Sequence, residues 1–552
     1  MTDLEKLALA MYPDVDKTPE DYENLYPPRE SGGAVTRFAP SPTGYMHLGN
    51  LFSASIDFLA AKDGGTFYLR LEDTDKKREV EGAVEKILDG LSSFGITPTE
   101  GVTGSGTETG DYGPYVQSMR KDIYSCYAKS LVEKGLAYPC FCTEEKLSAM
   151  REEQTAAGET PGYRGKWAVC RSLSPQEALA RVEAGESYVV RLRSERSANK
   201  VTVDDCIKGR LELPSNDTDA VIMKADGIPP YAFAHAVDDH LMRTTHVIRG
   251  DEWIASLPLH MELHKALGFR APKYAHIAPI MKTENGNKRK LSKRKDPEAG
   301  VSFYKEAGYT GDTVLEYLMT IANSNFEQWR KQNPDAVLTD FPFSLKKMSA
   351  SGALFDFDKL EDVGKNRISR LDARTVYELL GAWAEEFDPD FYGILAKDPD
   401  YSVSVLSIDR GGNKPRKDMA KWSDAKDVLS FFYDGLFEPA AVLPDGVEGA
   451  DAAKIIEEFL KTYDPADDKN VWFEKVKAIC PAVGYCADMK EYKKSPGEYR
   501  GSVAMASAVL RLAATGRTQT PDLTAVMAVL GIDRVRSRLS AYAELVNAGR
   551  EE

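Results

Sequence analysis

The stretch VTRFAPSPTGYMHLGN, residues 35–50, decides the fold class of this 552-residue chain. Its first five residues predict a β-strand, and the apolar run that follows it, residues 51–61, predicts an α-helix. His47 and Gly49 then lie where the helix begins. Backbone N–H groups at a helix N-terminus carry partial positive charge, so this turn can bind a phosphate. A glycine there lets a nucleotide approach the backbone closely.

A strand–helix alternation continues beyond this turn. Residues 66–71 predict a second strand and residues 80–94 a long helix, and two further strands are predicted at residues 220–224 and 245–249. This order is typical of an α/β fold with a Rossmann-like, doubly wound parallel sheet, in which ligands bind at the carboxyl ends of the strands. Glu72 lies at one of those ends.

A basic segment past the middle of the chain is the second informative feature. Six of the eight residues 288–295 are Lys or Arg, and they include the sequence KLSKR at residues 290–294. A run of this kind is usually a solvated surface. In a chain that also carries a phosphate-binding turn, it can instead be a cationic loop that closes over the same phosphates.

Together the two segments resemble the HIGH and KMSKS motifs of class I aminoacyl-tRNA synthetases. The sequences TRFAPSPTG, residues 36–44, and LRLEDTD, residues 69–75, more specifically resemble those of glutamyl-tRNA synthetases of the bacterial type. The resemblance implies a ligase of protein biosynthesis that uses ATP and Mg²⁺ to activate L-glutamate as glutamyl-adenylate and then attaches it to the 3′ end of tRNA(Glu). It is strong over residues 35–295 and weaker over the rest of the chain.

The resemblance also assigns roles within the predicted ATP site. Activating a carboxylate requires that the charge on the phosphate oxygens be neutralised, and one well-placed donor can contribute roughly 3 kcal/mol in the transition state. His47, Lys290 and Lys293 are the expected catalytic residues, and Lys293 matches the second lysine of the family's loop. The expected ATP-binding residues are His47, Gly49, Asn50, Lys290, Ser292, Lys293 and Arg294.

Glutamate carries two carboxylates and one ammonium group, so its pocket needs two cationic centres and one anionic centre. Arginine suits the carboxylates because its guanidinium group makes bidentate hydrogen bonds. Arg37 and Arg249 match family positions that bind the amino acid, and Glu72 supplies the anionic centre for the α-ammonium group. The expected glutamate-binding residues are Arg37, Ala39, Ser41, Glu72, Tyr231, His235, Arg249 and Trp253.

His235 departs from the family pattern. It stands where glutamyl-tRNA synthetases generally have asparagine. An imidazole can hydrogen-bond a carboxylate and, when protonated, adds positive charge. The hypothesis is that His235 contacts the substrate carboxylate.

The cysteines indicate a metal site. Seven cysteines scattered over a long chain favour reduced thiols over a disulfide framework. Cys140, Cys142 and Cys170 resemble the zinc-binding inserted segment of some family members, with Tyr163 as the candidate fourth ligand. Structural zinc usually takes four ligands, and the spacing from Tyr163 to Cys170 is longer than expected. Structural Zn²⁺ and three thiols without a metal therefore both stay open.

The expected organisation follows the family. The polar, acidic first 34 residues are a departure from it, and a short helix packed on the catalytic domain is expected there. The expected divisions are an N-terminal extension (1–34), the first half of the Rossmann catalytic domain (35–137), an inserted acceptor-end-binding segment (138–214), the second half with the KMSKS-like loop (215–300), a stem-contact helical domain (301–375) and a helical anticodon-binding domain (376–552).

Composition bounds the location and the partners. The formal net charge is −15, but RNA binding depends on local charge, and a basic face can lie on an acidic protein. No apolar run approaches the ~20 residues that span a bilayer, and the start of the chain lacks a signal-peptide pattern. A cytoplasmic location without membrane partners is expected. All seven histidines fall between His47 and His276, which indicates that the chemistry is concentrated in the first half.

Four alternatives compete with this interpretation. The truncated paralogue that glutamylates a modified tRNA base lacks an anticodon-binding region, whereas this chain has about 250 residues after the basic loop. Glutaminyl-tRNA synthetases are the nearest, but their C-terminal half is built from β-barrels, and here that half is predicted to be helical. A small-molecule nucleotidylyltransferase would not need a long helical C-terminal half, and a catalytically silent RNA-binding relative would be expected to have lost His47 or the lysines. The sequence leaves open whether tRNA(Gln) is also charged, and a monomer, common in the family, is expected.

Overall fold

The computed structural model describes residues 1–30, 32–44, 46–74, 80–197, 199–292, 294–412, 414–440 and 442–548. The chain divides into two compact units. The first comprises Met1–Tyr304 and Val314–Asp356, and the second comprises Lys305–Thr313 and Phe357–Glu552. The first unit is α/β and the second is almost entirely helical, so the predicted fold class is confirmed.

The first unit begins with two short helices and then alternates strands with helices. Its elements up to the end of the first sheet are α1 (Asp3–Met11), α2 (Pro19–Leu25), β1 (Val35–Phe38), α3 (Leu48–Ala61), β2 (Thr66–Leu69), α4 (Ala83–Ser92), β3 (Glu100–Gly104), β4 (Thr107–Thr109) and α5 (Lys121–Glu133).

The elements that follow are β5 (Ala137–Cys140), α6 (Glu144–Ala156), α7 (Pro175–Glu183), β6 (Val189–Leu192), β7 (Val201–Asp205), β8 (Gly209–Leu213), β9 (Val221–Met223), α8 (Tyr231–Leu241), β10 (His246–Gly250), α9 (Leu257–Leu267), β11 (Lys273–Ile277), β12 (Met281–Glu284), β13 (Asn287–Lys290), α10 (Val301–Ala307), α11 (Gly311–Ala322) and α12 (Phe326–Gln332).

The parallel sheet is built from both halves of this unit. β1, β2 and β3 pair in parallel, and β10 and β11 form a second parallel pair. The two sets meet where the Thr245 N–H donates to the Val35 carbonyl oxygen at 3.0 Å. β3 approaches β2 so closely that a Cβ at Gly101, whose φ is +112°, would lie 2.1 Å from the Leu69 carbonyl oxygen. All four residues of β1 and of β2 are buried, as expected for strands covered on both faces.

One predicted strand pairs elsewhere. Residues 220–224 do contain a strand, β9, but it pairs antiparallel with β6 and not with the parallel sheet. Strands β5, β6 and β9 form a three-stranded sheet, and helices α6 and α7 lie between β5 and β6 in the sequence. The short apolar sequence of β9 suits either sheet, so its sequence could not distinguish them.

A hairpin carries the basic segment. β12 and β13 pair antiparallel around the two-residue turn Asn285-Gly286, whose φ values of +51° and +79° are those that an Asn-Gly hairpin turn requires. The hairpin ends at Lys290. The first lysine of the basic loop therefore lies at the end of strand β13.

The second unit buries its own core. Its remaining elements are α13 (Phe357–Ile368), α14 (Ala373–Phe387), α15 (Pro389–Ala396), α16 (Pro399–Ser407), α17 (Ala425–Leu429), α18 (Gly449–Thr462), α19 (Lys469–Ile479), β14 (Tyr485–Cys486), α20 (Met489–Lys494), β15 (Gly501–Ser502), α21 (Val503–Thr515), α22 (Leu523–Leu530) and α23 (Ile532–Ala548). In α18, apolar residues at helical spacing, Ala452, Ile455, Ile456 and Phe459, face this core. Among the helices in the described ranges, none has the length and apolar character needed to cross a bilayer.

The N-terminal segment packs across the first unit. Helix α1 lies against α5 and α7, and the Tyr188 hydroxyl donates to the Met11 carbonyl oxygen at 3.3 Å. Further along, the Arg29 guanidinium group donates to both oxygens of Glu100 at 2.6 and 2.9 Å and to the Met242 carbonyl oxygen at 3.2 Å. The segment therefore ties α7, the β3 region and the end of α8 together.

We expect Arg29→Ala to lower the free energy of unfolding of the first unit by about 2 kcal/mol, because it leaves the largely buried Glu100 carboxylate without its charged partner. Urea denaturation of the full chain measures this. Arg151→Ala is the matched control, since its ion pair with Glu144 is solvent-exposed and should contribute less than about 1 kcal/mol. Equal losses in the two variants would contradict the prediction.

Candidate active site

A cavity of about 1170 Å³ lies at the carboxyl ends of the parallel strands and the N-terminus of α3. Eleven of the residues predicted for the ATP and glutamate sites line it, and they come from segments far apart in the chain. They are Arg37, Ala39, Ser41, His47, Gly49, Asn50, Glu72, Tyr231, Arg249, Trp253 and Lys290.

His47 is the N-cap residue of α3. Its Nδ1 accepts a hydrogen bond from the Asn50 N–H at 3.1 Å, and the Asn50 side-chain oxygen accepts from the His47 N–H at 3.3 Å. Because Nδ1 is an acceptor, a neutral imidazole carries its proton on Nε2. A Cβ at Gly49 would lie 3.1 Å from the His47 ring, so glycine gives the ring room. The helix start thus offers backbone N–H groups and an imidazole donor to an anion.

The segment after the basic loop contacts this helix start. His47 forms an antiparallel β-bridge with Gly300, and the Val301 N–H donates to the Met46 carbonyl oxygen at 3.3 Å. Ala299 and Leu291 line the same cavity. The segment that follows the basic loop therefore packs directly on the phosphate-binding turn.

Asp296 anchors the base of the loop. It accepts two hydrogen bonds from the Arg289 guanidinium group, at 2.6 and 2.8 Å, and one from the Ser292 N–H at 2.9 Å. These contacts, those of Arg289 first, hold the pKa of the Asp296 carboxyl well below its ordinary value. No carboxylate among the described residues forms an ion pair with Lys290, whose charge is thus available to a ligand.

Three other loop residues were predicted to bind ATP. Lys293, the expected transition-state contact, lies outside the described residues. Ser292 and Arg294 follow Leu291 in the loop and are not among the described residues that line the cavity.

The side of the cavity that is predicted to bind glutamate lies beside a buried ionic network. Asp239 accepts from Arg70 Nη1 at 2.7 Å and from Arg37 Nε at 3.3 Å, and Arg70 Nη2 donates to Glu72 at 3.0 Å. Burial alone would raise the pKa of Asp239, but the two arginines outweigh it and lower that pKa. Burial raises the pKa of Glu72, against the opposing charge of Arg70. Glu72 is the carboxylate of this network that lines the cavity.

Arg249 differs from Arg37 in its partners. Its Nε donates to His276 Nε2 at 3.1 Å, and its Nη2 lies 3.1 Å from His260 Nδ1. No carboxylate of the described residues lies within ion-pair distance, and Nη1 has no hydrogen-bond partner among them. Arg249 is thus a buried cation, neighbouring the cavity, whose charge the protein does not neutralise by contact.

Aromatic rings form one wall. The Tyr231 and Trp253 rings lie 4.4 Å apart between centroids, and Tyr231 also stacks on His235 at 5.4 Å. His235 is fully buried, with Nδ1 3.0 Å from an Asp239 oxygen, and it is not among the cavity-lining residues. Burial lowers the pKa of His235 well below its ordinary value, so the ring is neutral. The structure places it one layer below the cavity.

Four buried residues that support the site were not predicted. Asp239, His260, His276 and Asp205 contact the predicted arginines directly or through one another. For the two histidines, the one sequence signal was the confinement of all histidines to the first half of the chain. That signal could not say which histidines meet.

The predicted metal ligands also come together. The Sγ atoms of Cys140, Cys142 and Cys170 all lie within 4.8 Å of one another, and the Tyr163 hydroxyl oxygen is 3.4 Å from Cys142 Sγ. Hydrogen bonding from Cys170 and then from Tyr163 lowers the pKa of Cys140 to about 4, despite burial, while that of Cys170 is raised. A thiol whose pKa is lowered in this way is available as a metal ligand, because metals bind the thiolate form.

Comparison with known proteins identifies the family of the chain. A family model described as tRNA synthetases class I (E and Q), catalytic domain, matches residues 34–361, and one described as anticodon binding domain matches residues 487–543. The first alone covers more than half of the chain.

Relatives match over nearly the whole length. A glutamate–tRNA ligase of Clostridium perfringens (strain 13 / Type A) is 48% identical over 543 residues, covering 97% of this chain and 100% of that protein. One of Acetivibrio thermocellus is 48% identical over 542 residues, covering 97% and 99%. The crystal structure of a glutamate tRNA ligase from Elizabethkingia meningosepticum in complex with its amino acid has a TM-score of 0.72 at 27% identity, covering 93% of this chain and 99% of that one. This chain is therefore a member of the glutamate–tRNA ligase family of class I tRNA synthetases.

Proposed function

We propose that this protein attaches L-glutamate to the 3′ end of tRNA(Glu) in two steps. A glutamate α-carboxylate oxygen attacks the α-phosphorus of ATP, which gives glutamyl-adenylate and releases pyrophosphate. The terminal ribose hydroxyl of the tRNA then attacks the activated carbonyl carbon and releases AMP. ATP enters with Mg²⁺, which neutralises part of the phosphate charge.

One observation carries this proposal. A single cavity joins a helix N-terminus, the end of a basic hairpin and a pocket that contains both a buried cation and a carboxylate. The first two suit a triphosphate, and the last suits a zwitterionic amino acid with an acidic side chain. A plain nucleotide-binding site would not need the second set of charges.

Each group has a distinct role in the proposed reaction. His47 Nε2–H and the backbone N–H groups at the N-terminus of α3 donate to phosphate oxygens. Lys290 and Lys293 stabilise the negative charge that develops on the pyrophosphate as it leaves. Glu72 binds the α-ammonium group, whose positive charge favours the ionised form of this carboxylate. Arg249 binds a carboxylate of glutamate with Nη1.

For the RNA substrate we propose the domain roles that the family implies. Residues 138–214 hold the acceptor end, residues 301–375 contact the stem and residues 376–552 contain the anticodon-binding region. The match of residues 487–543 to an anticodon-binding model supports the last of these. The function could also include the charging of tRNA(Gln), and this depends on which anticodons the protein contacts.

Glutamate-dependent ATP–pyrophosphate exchange, run with and without tRNA(Glu), tests the function. We expect exchange in the wild-type protein and a loss of about a hundredfold in His47→Ala, because a donor to the reacting phosphates is removed. His246→Ala is the matched control, since this histidine is outside the cavity lining and bonds to Thr245. Absence of exchange under both conditions would refute the enzyme assignment. Aminoacylation of tRNA(Gln) in parallel decides whether it is a substrate.

The hypothesis that His235 contacts the substrate carboxylate stays a prediction. If the contact exists, we expect His235→Ala to raise the KM for glutamate about tenfold, because it removes the hydrogen bond to the substrate carboxylate. His235→Asn, which restores the residue usual in the family, should raise it less. A KM equal to that of the wild-type protein in His235→Ala would rule the contact out.

We further propose that Cys140, Cys142, Cys170 and Tyr163 hold a structural Zn²⁺. Tetrahedral zinc with Zn–S bonds of ~2.3 Å separates its sulfur ligands by about 3.8 Å. Cys142 Sγ and Cys170 Sγ are 3.7 Å apart, which matches this spacing, and all three sulfur atoms lie within 4.8 Å of one another. The phenol of Tyr163 would complete four ligands.

Elemental analysis of the purified protein tests the zinc proposal. We expect one equivalent of zinc in the wild-type protein and its loss in Cys142→Ala, with a lower melting temperature. Cys480→Ala removes a buried thiol from the second unit, where it bonds to the Val476 carbonyl oxygen, and should keep the metal. Wild-type protein with only trace metal would refute this site.

A further inference from the structure

Arg249 is held by neutral groups on two of its three nitrogens. The guanidinium group has five N–H donors and no acceptor, so both imidazole nitrogens that face it must accept. His276 therefore has no proton on Nε2, and His260 has none on Nδ1. Each neutral ring must carry its proton on the opposite nitrogen.

Asp205 sets the required tautomer of His276. Its Oδ2 lies 2.7 Å from His276 Nδ1, so this carboxylate accepts the ring proton and leaves Nε2 as the acceptor for Arg249. Backbone N–H groups of Ile207 and Lys208 donate to Asp205 Oδ1 at 2.9 and 2.8 Å. Burial opposes ionisation, but these bonds, with that of His276, lower the pKa of Asp205. The order Asp205, His276, Arg249 is a directed chain of hydrogen bonds.

This series of hydrogen bonds joins distant parts of the first unit. Asp205 is the last residue of β7, and the Cys206 N–H donates to the Tyr274 carbonyl oxygen of β11 at 2.8 Å, which fixes the β7–β8 hairpin beside that strand. His276 lies on β11, and Arg249 lies on the parallel neighbour β10. The Asp205 carboxylate thus belongs to the β7–β8 hairpin, and the Arg249 guanidinium group that it orients through His276 belongs to β10.

His260 fixes the other edge of the guanidinium group. It is fully buried on α9, and burial together with the charge of Arg249 lowers its pKa well below the ordinary value. The ring is therefore neutral and can accept from Arg249. Its Nε2, which then bears the proton, has no partner among the described residues. A buried N–H without a partner costs free energy, so packing alone does not explain a histidine here.

We propose that Asp205, His276 and His260 are positioning residues that orient Arg249 for a carboxylate and against a carboxamide. His276 accepts from Nε and His260 accepts from one N–H of Nη2, and both N–H donors of Nη1 are left to the substrate. The side-chain carboxylate of glutamate presents only acceptor oxygens to these donors. The carboxamide of glutamine has one acceptor oxygen and one NH₂ group, and the NH₂ group would oppose them. This inference rests on the proposed function and deepens it, since it names what selects glutamate over glutamine.

Paired substitutions test the role of each histidine. His276→Leu and His260→Leu remove the acceptors, while His276→Gln places an oxygen near the former Nε2 and His260→Asn places one near the former Nδ1. The control is His264→Leu, because His264 is buried one turn further along α9 and bonds to the Tyr274 hydroxyl instead of Arg249. Exchange assays with tRNA give kcat and KM for glutamate, glutamine and ATP, and thermal melting reports folding.

We expect both leucine variants to raise the KM for glutamate tenfold to a hundredfold, the range for losing a hydrogen bond to a charged group. The KM for ATP should stay constant, and the preference for glutamate over glutamine should fall. His276→Gln and His260→Asn should recover most of both losses. Asp205→Asn should also raise the KM for glutamate, because its amide can present an N–H to His276 and reverse the tautomer.

Leucine variants with the glutamate KM and selectivity of His264→Leu would overturn the proposal, as would glutamine and asparagine variants no better than leucine. If a leucine variant does not fold, an unchanged glutamate KM in Asp205→Asn overturns it. Failure of the proposed function looks different, because the wild-type protein itself would then show no glutamate-dependent exchange.

Discussion

The active site depends on the pairing of the buried Asp239 carboxylate with two arginines. The carboxylate is fully buried, and a buried charge is tolerated only when it is paired and hydrogen-bonded. Its partners, Arg37 on β1 and Arg70 just after β2, belong to the first half of the sheet, whereas Asp239 lies on α8 in the second half. The pairing therefore joins the two halves beneath the cavity. Arg70 then orients Glu72, the carboxylate that lines the cavity.

The two cavity arginines differ because their partners differ in charge. Arg37 shares the Asp239 carboxylate with Arg70, and this negative charge weakens the attraction of Arg37 for an anion. Arg249 has only imidazole partners, so its positive charge acts on whatever carboxylate enters the cavity. The side of the cavity where phosphate binding is proposed has other sources of positive potential, namely a helix N-terminus and the end of a basic hairpin. One cavity can thus hold an anionic amino acid and a polyphosphate without the two competing for one cation.

Much of the fold and part of the site followed from the sequence. The first strand, the helix that begins after His47, and the helical second unit match their predictions, because each depends on local periodicity and on cap residues. The strand at residues 221–223 was placed in the wrong sheet, since three apolar residues do not encode a partner. The supporting residues Asp205 and His260 were missed for a similar reason: single polar residues within strands and helices carry no pattern.

By itself, the sequence determined the elements and the candidate chemistry: a phosphate-binding turn, a basic loop, two arginines and a set of thiols. Only the tertiary structure decided which of these meet. It put His47 against Gly300, gave Arg37 a carboxylate and gave Arg249 two neutral histidines. The physical reason is that local structure depends on neighbouring residues, whereas the charge state and direction of a buried group depend on partners that packing brings from distant segments.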